Sequence, residues 1–270
     1  MPNSTAVLVV SCDAYRDVWG PFFTLFFRFW GDCPYPVFLG SNFETYPDKR
    51  VIPLGIGADR DWSSNLHQML ERIPLEGILL LQEDFLFDRP VDTGRIEQYL
   101  GYAWEKGAGC LRLMPIPGPD LPCADNADLG EIRKGAEYRV SLQAAWWKKD
   151  SLAAVAQPGE SPWQFETLGS RRSDGLDAPF LSLRDNVEYP LDYFTTAVVR
   201  GFWEPAALDL CRRERVPVDL RSRPVLPMDM RLERALRRWI PDRAAWLAAS
   251  PFRGIRTARR KNPPKRSRGD

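Results

Sequence analysis

Three stretches of this sequence carry residue types whose spacing suits chemistry. Gln82-Glu83-Asp84 sets two adjacent carboxylates directly after the apolar run Gly77-Ile-Leu-Leu-Leu81. Neighbouring carboxylates repel unless a cation neutralises them. Mg²⁺ or Mn²⁺ bridging a diphosphate fits, because hard cations take carboxylate oxygens while keeping several waters. The plain alternative is a strand end with solvated acids, Asp88 and Arg89 nearby supplying salt bridges. Glu160 and Glu166 flank Ser161-Pro162-Trp163, and Arg171 and Arg172 follow. A carboxylate near a helix start, shielded by Trp163 and Phe165, has the makings of a general base for a hydroxyl. Guanidinium forks in turn suit phosphate oxygens. Equally, an acid there serves simply to stabilise the helix dipole, beside ordinary surface arginines. The third stretch, Tyr138-Arg-Val-Ser-Leu-Gln143, alternates polar and apolar residues. As a strand it projects Arg139, Ser141 and Gln143 from one face, into a sugar pocket or into water. His67 is the one histidine and reads as a structural residue on a helix.

The elements that position these residues are legible from patterning. Ala6-Val-Leu-Val-Val10 is a continuous apolar run ending in Ser11-Cys-Asp13, as expected of a strand buried on both faces. Asp17 to Trp30 is aromatic-rich and predicts a helix. Pro36–Leu39 and Arg50–Leu54 predict short strands, and Trp62–Ile73 a helix capped by Ser63 or Ser64. Gly77–Leu81 is the strongest central-strand signal. Strands alternating with helices predict an α/β layered fold. In such sheets ligands sit outside the carboxyl ends of the strands, where Asp13, Asn42, Glu83 and Asp84 all fall. Further on, the pattern predicts a helix over Val91–Glu105 and a strand over Gly109–Met114. The Pro-rich stretch from Pro115 to Asp128 reads as a loop. Tyr138–Trp146 reads as a strand, Lys149–Ala156 as a helix, and Trp163–Gly169 as another, with Ser161 as its N-cap and Pro162 in first position. A late strand over Ala197–Gly201 and a helix over Pro205–Arg215 complete the domain.

Composition removes several classes. The 270 residues are 44% hydrophobic, enough for a sizeable core. No apolar run reaches the ~18 residues of a membrane span. The start, Met-Pro-Asn-Ser-Thr, lacks the basic region of a signal peptide. Five dispersed cysteines without a C-x-x-C predict reduced thiols in a cytoplasmic protein. The signatures of P-loop, dinucleotide-binding, nucleophile-elbow and zincin enzymes are all absent from the sequence.

The ordered set Val9-Val-Ser-Cys-Asp13-Ala-Tyr15, Leu79-Leu-Leu-Gln-Glu-Asp84, Tyr138–Gln143, Gly159-Glu-Ser-Pro-Trp-Gln-Phe-Glu166 and Val199-Arg-Gly201 resembles bacterial GT-A-fold glycosyltransferases. The closest likeness is to small enzymes of capsule, O-antigen and exopolysaccharide synthesis, over about Ala6 to Arg215. The resemblance implies a GT-A-like, Rossmann-like mixed central sheet flanked by helices. It implies transfer of a sugar, with inversion, from a nucleoside-diphosphate sugar to a saccharide or lipid-linked saccharide hydroxyl. Asp13 would contact the nucleotide. Asp84, then Glu83, would hold Mg²⁺ or Mn²⁺ in place of the family's DxD element, although Gln82 stands where its first aspartate commonly stands. Glu166 would be the base, with Glu160 as fallback, and Arg171 or Arg172 would assist the leaving phosphates. The alternative from a different class is a non-catalytic GT-A-like module that binds a sugar nucleotide or scaffolds a complex.

The net charge of +1 conceals a division. Residues 231–270 hold 13 Lys/Arg against three Asp/Glu, a net of +10, leaving −9 for residues 1–230. The expected organisation is therefore a GT-A-like domain over 1–230 and a basic extension over 231–270. In the extension, Leu232, Ala235, Leu236, Trp239 and Ile240 form an amphipathic stripe, Asp242–Ala249 a second short helix, and the end a disordered tail. Such a segment suits an anionic membrane surface, making the protein peripheral to the inner face of the plasma membrane. Packing on the domain is the plain alternative. An acidic body argues against nucleic acid as a partner.

Overall fold

The computed structural model describes residues 4–239. Two compact units divide between Val225 and Leu226. The first begins with four parallel strands, β1 (Thr5–Val10), β2 (Val37–Ser41), β3 (Val51–Gly55) and β4 (Gly77–Gln82). Later segments add β5 (Leu86–Phe87), β6 (Cys110–Arg112), β7 (Leu121–Pro122), β8 (Leu129–Glu131), β9 (Ala145–Lys148) and β10 (Phe180–Leu183). Among the described residues the main sheet has the order β3-β2-β1-β4-β9-β6-β10-β8-β7. β9 runs antiparallel to both β4 and β6, and β10 is parallel to β6. The chain is thus the α/β protein with a mixed central sheet that patterning predicts. Three two-residue strands, β11 (Tyr193–Phe194), β12 (Val198–Val199) and β13 (Phe202–Trp203), form small ribbons; β11 pairs with β5, and β12 with β13.

Apolar residues on both faces of the strands explain why helices must cover both. On one face Val7, Val9, Leu79, Leu81 and Trp146 pack with α1 (Arg16–Phe29) and α3 (Thr93–Glu105). On the other, Ala6, Leu8, Ile78, Leu80 and Trp147 pack with α2 (Trp62–Arg72), α4 (Lys149–Val155) and α5 (Pro162–Ser173). α6 (Pro205–Arg213) joins the first layer. At β1 the path reverses: β2 and β3 build outward on one side, β4 on the other. In sheets of this kind ligands bind at such a switch point, outside the carboxyl ends of strands like β1 and β4.

Several boundaries differ from expectation. α2 is capped by Asp61, whose carboxylate accepts from the Ser64 amide, and not by Ser63 or Ser64. The expected strand over Tyr138–Trp146 shrinks to β9, because Tyr138 takes a left-handed φ of 55° and the chain reaches the sheet only at Ala145. α5 runs beyond Gly169 to Ser173, and β8 and β10 fill stretches with no predicted element. The late strand is a hairpin turning at Arg200 and Gly201, both at positive φ, as its tight turn requires. In the second unit α7 (Met228–Trp239) runs across the composition change at Arg231. The expected helix over Asp242–Ala249 and the terminal tail lie outside the described residues. Among those residues no helix is long and apolar enough to cross a membrane.

The start of α5 is capped by its own side chains. Ser161 accepts from the Gln164 amide while Gln164 reaches back to the Ser161 amide, and Pro162 occupies the first helical position. Ser161→Ala should lower stability by about 1 kcal/mol, read as a lower Tm. An unchanged Tm would mean the cap contributes nothing.

Candidate active site

The carboxyl end of β1 runs into Ser11-Cys12-Asp13, and that of β4 into Glu83-Asp84. Val10 and Gln82 are register partners, so the two loops emerge side by side. Asp13 is consumed locally. Its carboxylate accepts from the amides of Asn42 at 2.9 Å, Phe43 at 3.0 Å and Glu44 at 3.2 Å. The Asn42 side chain answers by accepting from the Asp13 amide and donating to the Gly57 carbonyl. Asp13 therefore fixes the loop after β2, and that loop presents Phe43, 74% exposed, at the rim.

Glu83 is buried and Asp84 half-buried. Burial pushes the Glu83 carboxyl up to about 8, and the neighbouring Asp84 charge adds to the rise. Burial likewise lifts Asp84 to about 7, against the Val198 amide and the charge of Arg223, which favour its ionised form. A loop closes over the pair: Ala197 donates to the Asp84 carbonyl, and Phe85 stacks on Tyr193 at 4.4 Å. The Tyr193 hydroxyl accepts from the Ala144 amide and donates to Gln143 Oε1, holding Gln143 beside this turn. The Gln82 amide nitrogen is buried and has no hydrogen-bond partner among the described residues.

Glu166 is half-buried on α5. Burial raises its pKa above the usual carboxylate range, while the Leu142 amide at 2.8 Å, the Ser141 hydroxyl and the Arg112 charge oppose the rise. Arg112 is itself buried and donates to the carbonyls of Pro117, Tyr138 and Arg139. It ties the Pro-rich loop to the segment that carries Ser141 and Leu142.

Other expected site residues have structural duties. Glu160 is buried and takes a bidentate bridge from Arg172, at 2.8 and 2.5 Å, and Arg172 also donates to the Val155 carbonyl. Each partner is thus engaged in holding the start and the last turn of α5 together. Arg171 is exposed in the last turn of α5. Arg139 is buried against Phe180 and donates to the Ile132 and Ser173 carbonyls, so it lines no pocket. The strand-face grouping of Arg139, Ser141 and Gln143 fails because this segment is not a strand. Ser141 and Gln143 instead serve Glu166 and the Asp84 turn separately.

Patterning overlooked Arg223. Its guanidinium donates to both Asp17 oxygens at 2.9 Å and to the Ala14 carbonyl at 3.0 Å, and lies over the Tyr15 ring. The residue stands in a Pro-flanked, otherwise unremarkable stretch, Arg221-Ser-Arg-Pro224, with no periodicity to mark it.

The donor set bears on a metal. Among the described residues no cluster of three or more His, Cys, Asp or Glu side chains is placed to hold one. Glu83 and Asp84 offer two carboxylates that resist ionising together, a partial shell of the kind that Mg²⁺ or Mn²⁺ completes with water and phosphate oxygens. The residues fit such an ion.

No protein-family model and no curated protein matches the chain. Solved structures similar to it include S. aureus TarS 1-349, with 13% identity and a TM-score of 0.47 over 80% of this chain and 66% of that one. Another S. aureus TarS chain gives 13% and 0.48, over 80% and 40%. The 2-C-methyl-D-erythritol 4-phosphate cytidylyltransferase of Thermus thermophilus gives 16% and 0.37, over 86% and 98%. The chain thus spans about two thirds of the one TarS chain and less than half of the other.

Because Glu83 and Asp84 hold protons more tightly folded than unfolded, their contribution to stability is full below the ordinary carboxylate range. It is lost as pH rises through about 7 to about 8. Tm should therefore fall more steeply with rising pH in the wild type than in the Glu83→Gln/Asp84→Asn double variant. Parallel slopes would contradict the assignment.

Proposed function

We propose that this chain transfers a glycosyl group, with inversion, from a nucleoside-diphosphate sugar to an acceptor hydroxyl in bacterial surface-polysaccharide synthesis. The observation that carries this reading is the division of labour among three carboxylates. Glu83 and Asp84 crowd together at the sheet's switch point, while Glu166 stands alone with a raised pKa. Crowded carboxylates suit a cation-bound diphosphate, and an isolated carboxyl titrating nearer neutrality suits a general base. Glu166 takes the proton of the acceptor hydroxyl as its oxygen bonds to the anomeric carbon. The bond from that carbon to the diphosphate breaks on the opposite face. Ser141 and the Leu142 amide hold Glu166 in place, and Tyr193 holds Gln143 beside the donor. A divalent ion held by Asp84 and Glu83 would offset the charge of the departing diphosphate.

Glu166→Gln should lower turnover by roughly 10²–10⁴-fold while leaving nucleotide binding nearly intact; a near-normal rate removes Glu166 from the role. The acid limb of kcat/KM should lie above the ordinary glutamate range, because the raised pKa protonates the base earlier as pH falls. Asp84→Asn should weaken nucleotide binding in Mn²⁺, and identical titrations with and without the ion would count against the metal assignment.

Gln82 favours one rival reading, a module that binds a sugar nucleotide without turnover. Calorimetry with a panel of sugar nucleotides, followed by a turnover assay on the binder with acceptor present, separates the two.

The basic extension suits the cytoplasmic face of an anionic membrane, where lipid-linked acceptors would be presented. Each basic residue near such a surface contributes about 1 kcal/mol. The full chain should bind anionic liposomes more tightly than one ending at Ala249, and equal binding would deny the tail a membrane role.

A further inference from the structure

The guanidinium of Arg223 has donors that its structural bonds do not exhaust. Arg223 is 7% exposed. Nε and Nη2 are taken by the two Asp17 oxygens and the Ala14 carbonyl. Nη1, with its two N–H groups, donates to no acceptor among the described residues. Above it the β12–β13 hairpin turns at Gly201, close enough that a Cβ there would lie 3.9 Å from Nη1. The positive charge acts on both Glu83 and Asp84 yet forms an ion pair with neither of them. Two carboxyl groups and a cation with an idle pair of donors thus lie within electrostatic reach of one another. A ligand answering both must carry negative oxygens together with a metal ion, which describes a metal-bound diphosphate.

We propose that Nη1 of Arg223 binds a phosphate oxygen of the donor's diphosphate, with Asp17 as the residue that holds the fork in place. This rests on the glycosyl-transfer reading above and adds to it the group that receives the leaving charge. As the bond between the anomeric carbon and the diphosphate oxygen breaks, its electron pair stays on that oxygen. The acceptor proton passes to Glu166. The terminal phosphate gains one negative charge, and Arg223 meets it with a hydrogen bond already oriented. Orientation is fixed beforehand by the bidentate Asp17 contact and the Tyr15 ring, so the group need not reorganise during transfer.

The test compares matched nucleoside di- and monophosphates of uracil, guanine, cytosine and adenine, with inorganic pyrophosphate as a base-free probe. All are titrated calorimetrically in Mg²⁺ against the full chain. The wild type should bind one diphosphate and pyrophosphate. Arg223→Gln should weaken both by about tenfold or more, the scale of a hydrogen bond to a charged group, while the matching monophosphate barely changes. Arg223→Lys, which keeps the charge opposite Asp17 but loses the fork, should fall between. If neither variant folds, Asp17→Asn keeps the guanidinium and should shift the ratio of di- to monophosphate affinity the same way. Equal diphosphate binding in wild type and variants, or parallel loss of both nucleotides, overturns the assignment to Arg223. A wild type that binds none of these probes overturns the donor reading itself.

Discussion

Two carboxyl groups set side by side at the end of the central strand, both holding their protons more tightly than ordinary carboxyls, are the constraint around which the neighbouring loops are arranged. Glu83 and Asp84 follow four apolar residues that pin β4 into the middle of the sheet, so the chain cannot turn them out to water without unpairing β4 from β1. Their neighbours respond to that cost. The Val198 amide and the charge of Arg223 ease it, and the loop closed by Ala197 and Tyr193 maintains it by keeping solvent away. A buried carboxylate pair with incomplete compensation favours whatever brings positive charge. In this sense any affinity for a cation at these residues would follow from the packing of β4.

What patterning could read was whatever depends on local sequence. The apolar runs of β1 and β4 gave away the sheet, and Ser161-Pro162 gave away the start of α5. The placing of Asp13, Glu83 and Asp84 just beyond strand ends was legible because each follows directly on an apolar run. What it could not read depends on pairing across long separations. Arg223 meets Asp17 across most of the domain, and no spacing rule links them. Arg139, Ser141 and Gln143 alternate as a strand would, but tertiary bonds from Arg112 and Tyr193 hold their segment off the sheet until Ala145. The short strands β11 and β13 are likewise too brief to leave a periodic trace, whereas β12 falls within the late strand that patterning predicts.

The buried arginines make the same point from the other side. Arg112 and Arg139 direct their donors mainly to backbone carbonyls and brace loops against the sheet. Arg172 directs its own to Glu160 and Val155. Arg223 alone among these four pairs with a carboxylate of α1. Residue type therefore says little about the role of an arginine in this chain; the partner it takes, a carboxylate for Arg223 and backbone carbonyls for Arg112 and Arg139, says more.

Glu160 and Glu166 show how strongly a single cap sorts chemistry. Both lie in one short stretch around Ser161, and either could be a base by composition. The capping box turns the chain sharply at Ser161, so that Glu160 lies before the helix, against Arg172 from its last turn. Glu166 falls more than one helical turn beyond Pro162, on the side that faces Leu142. The first is thereby taken up in a bidentate bridge from Arg172. The second is buried among neutral donors, with its nearest cation turned to backbone carbonyls, and its appetite for a proton rises. A base that must accept a hydroxyl proton near neutral pH needs the second environment, and the turn at Ser161 is what separates the two.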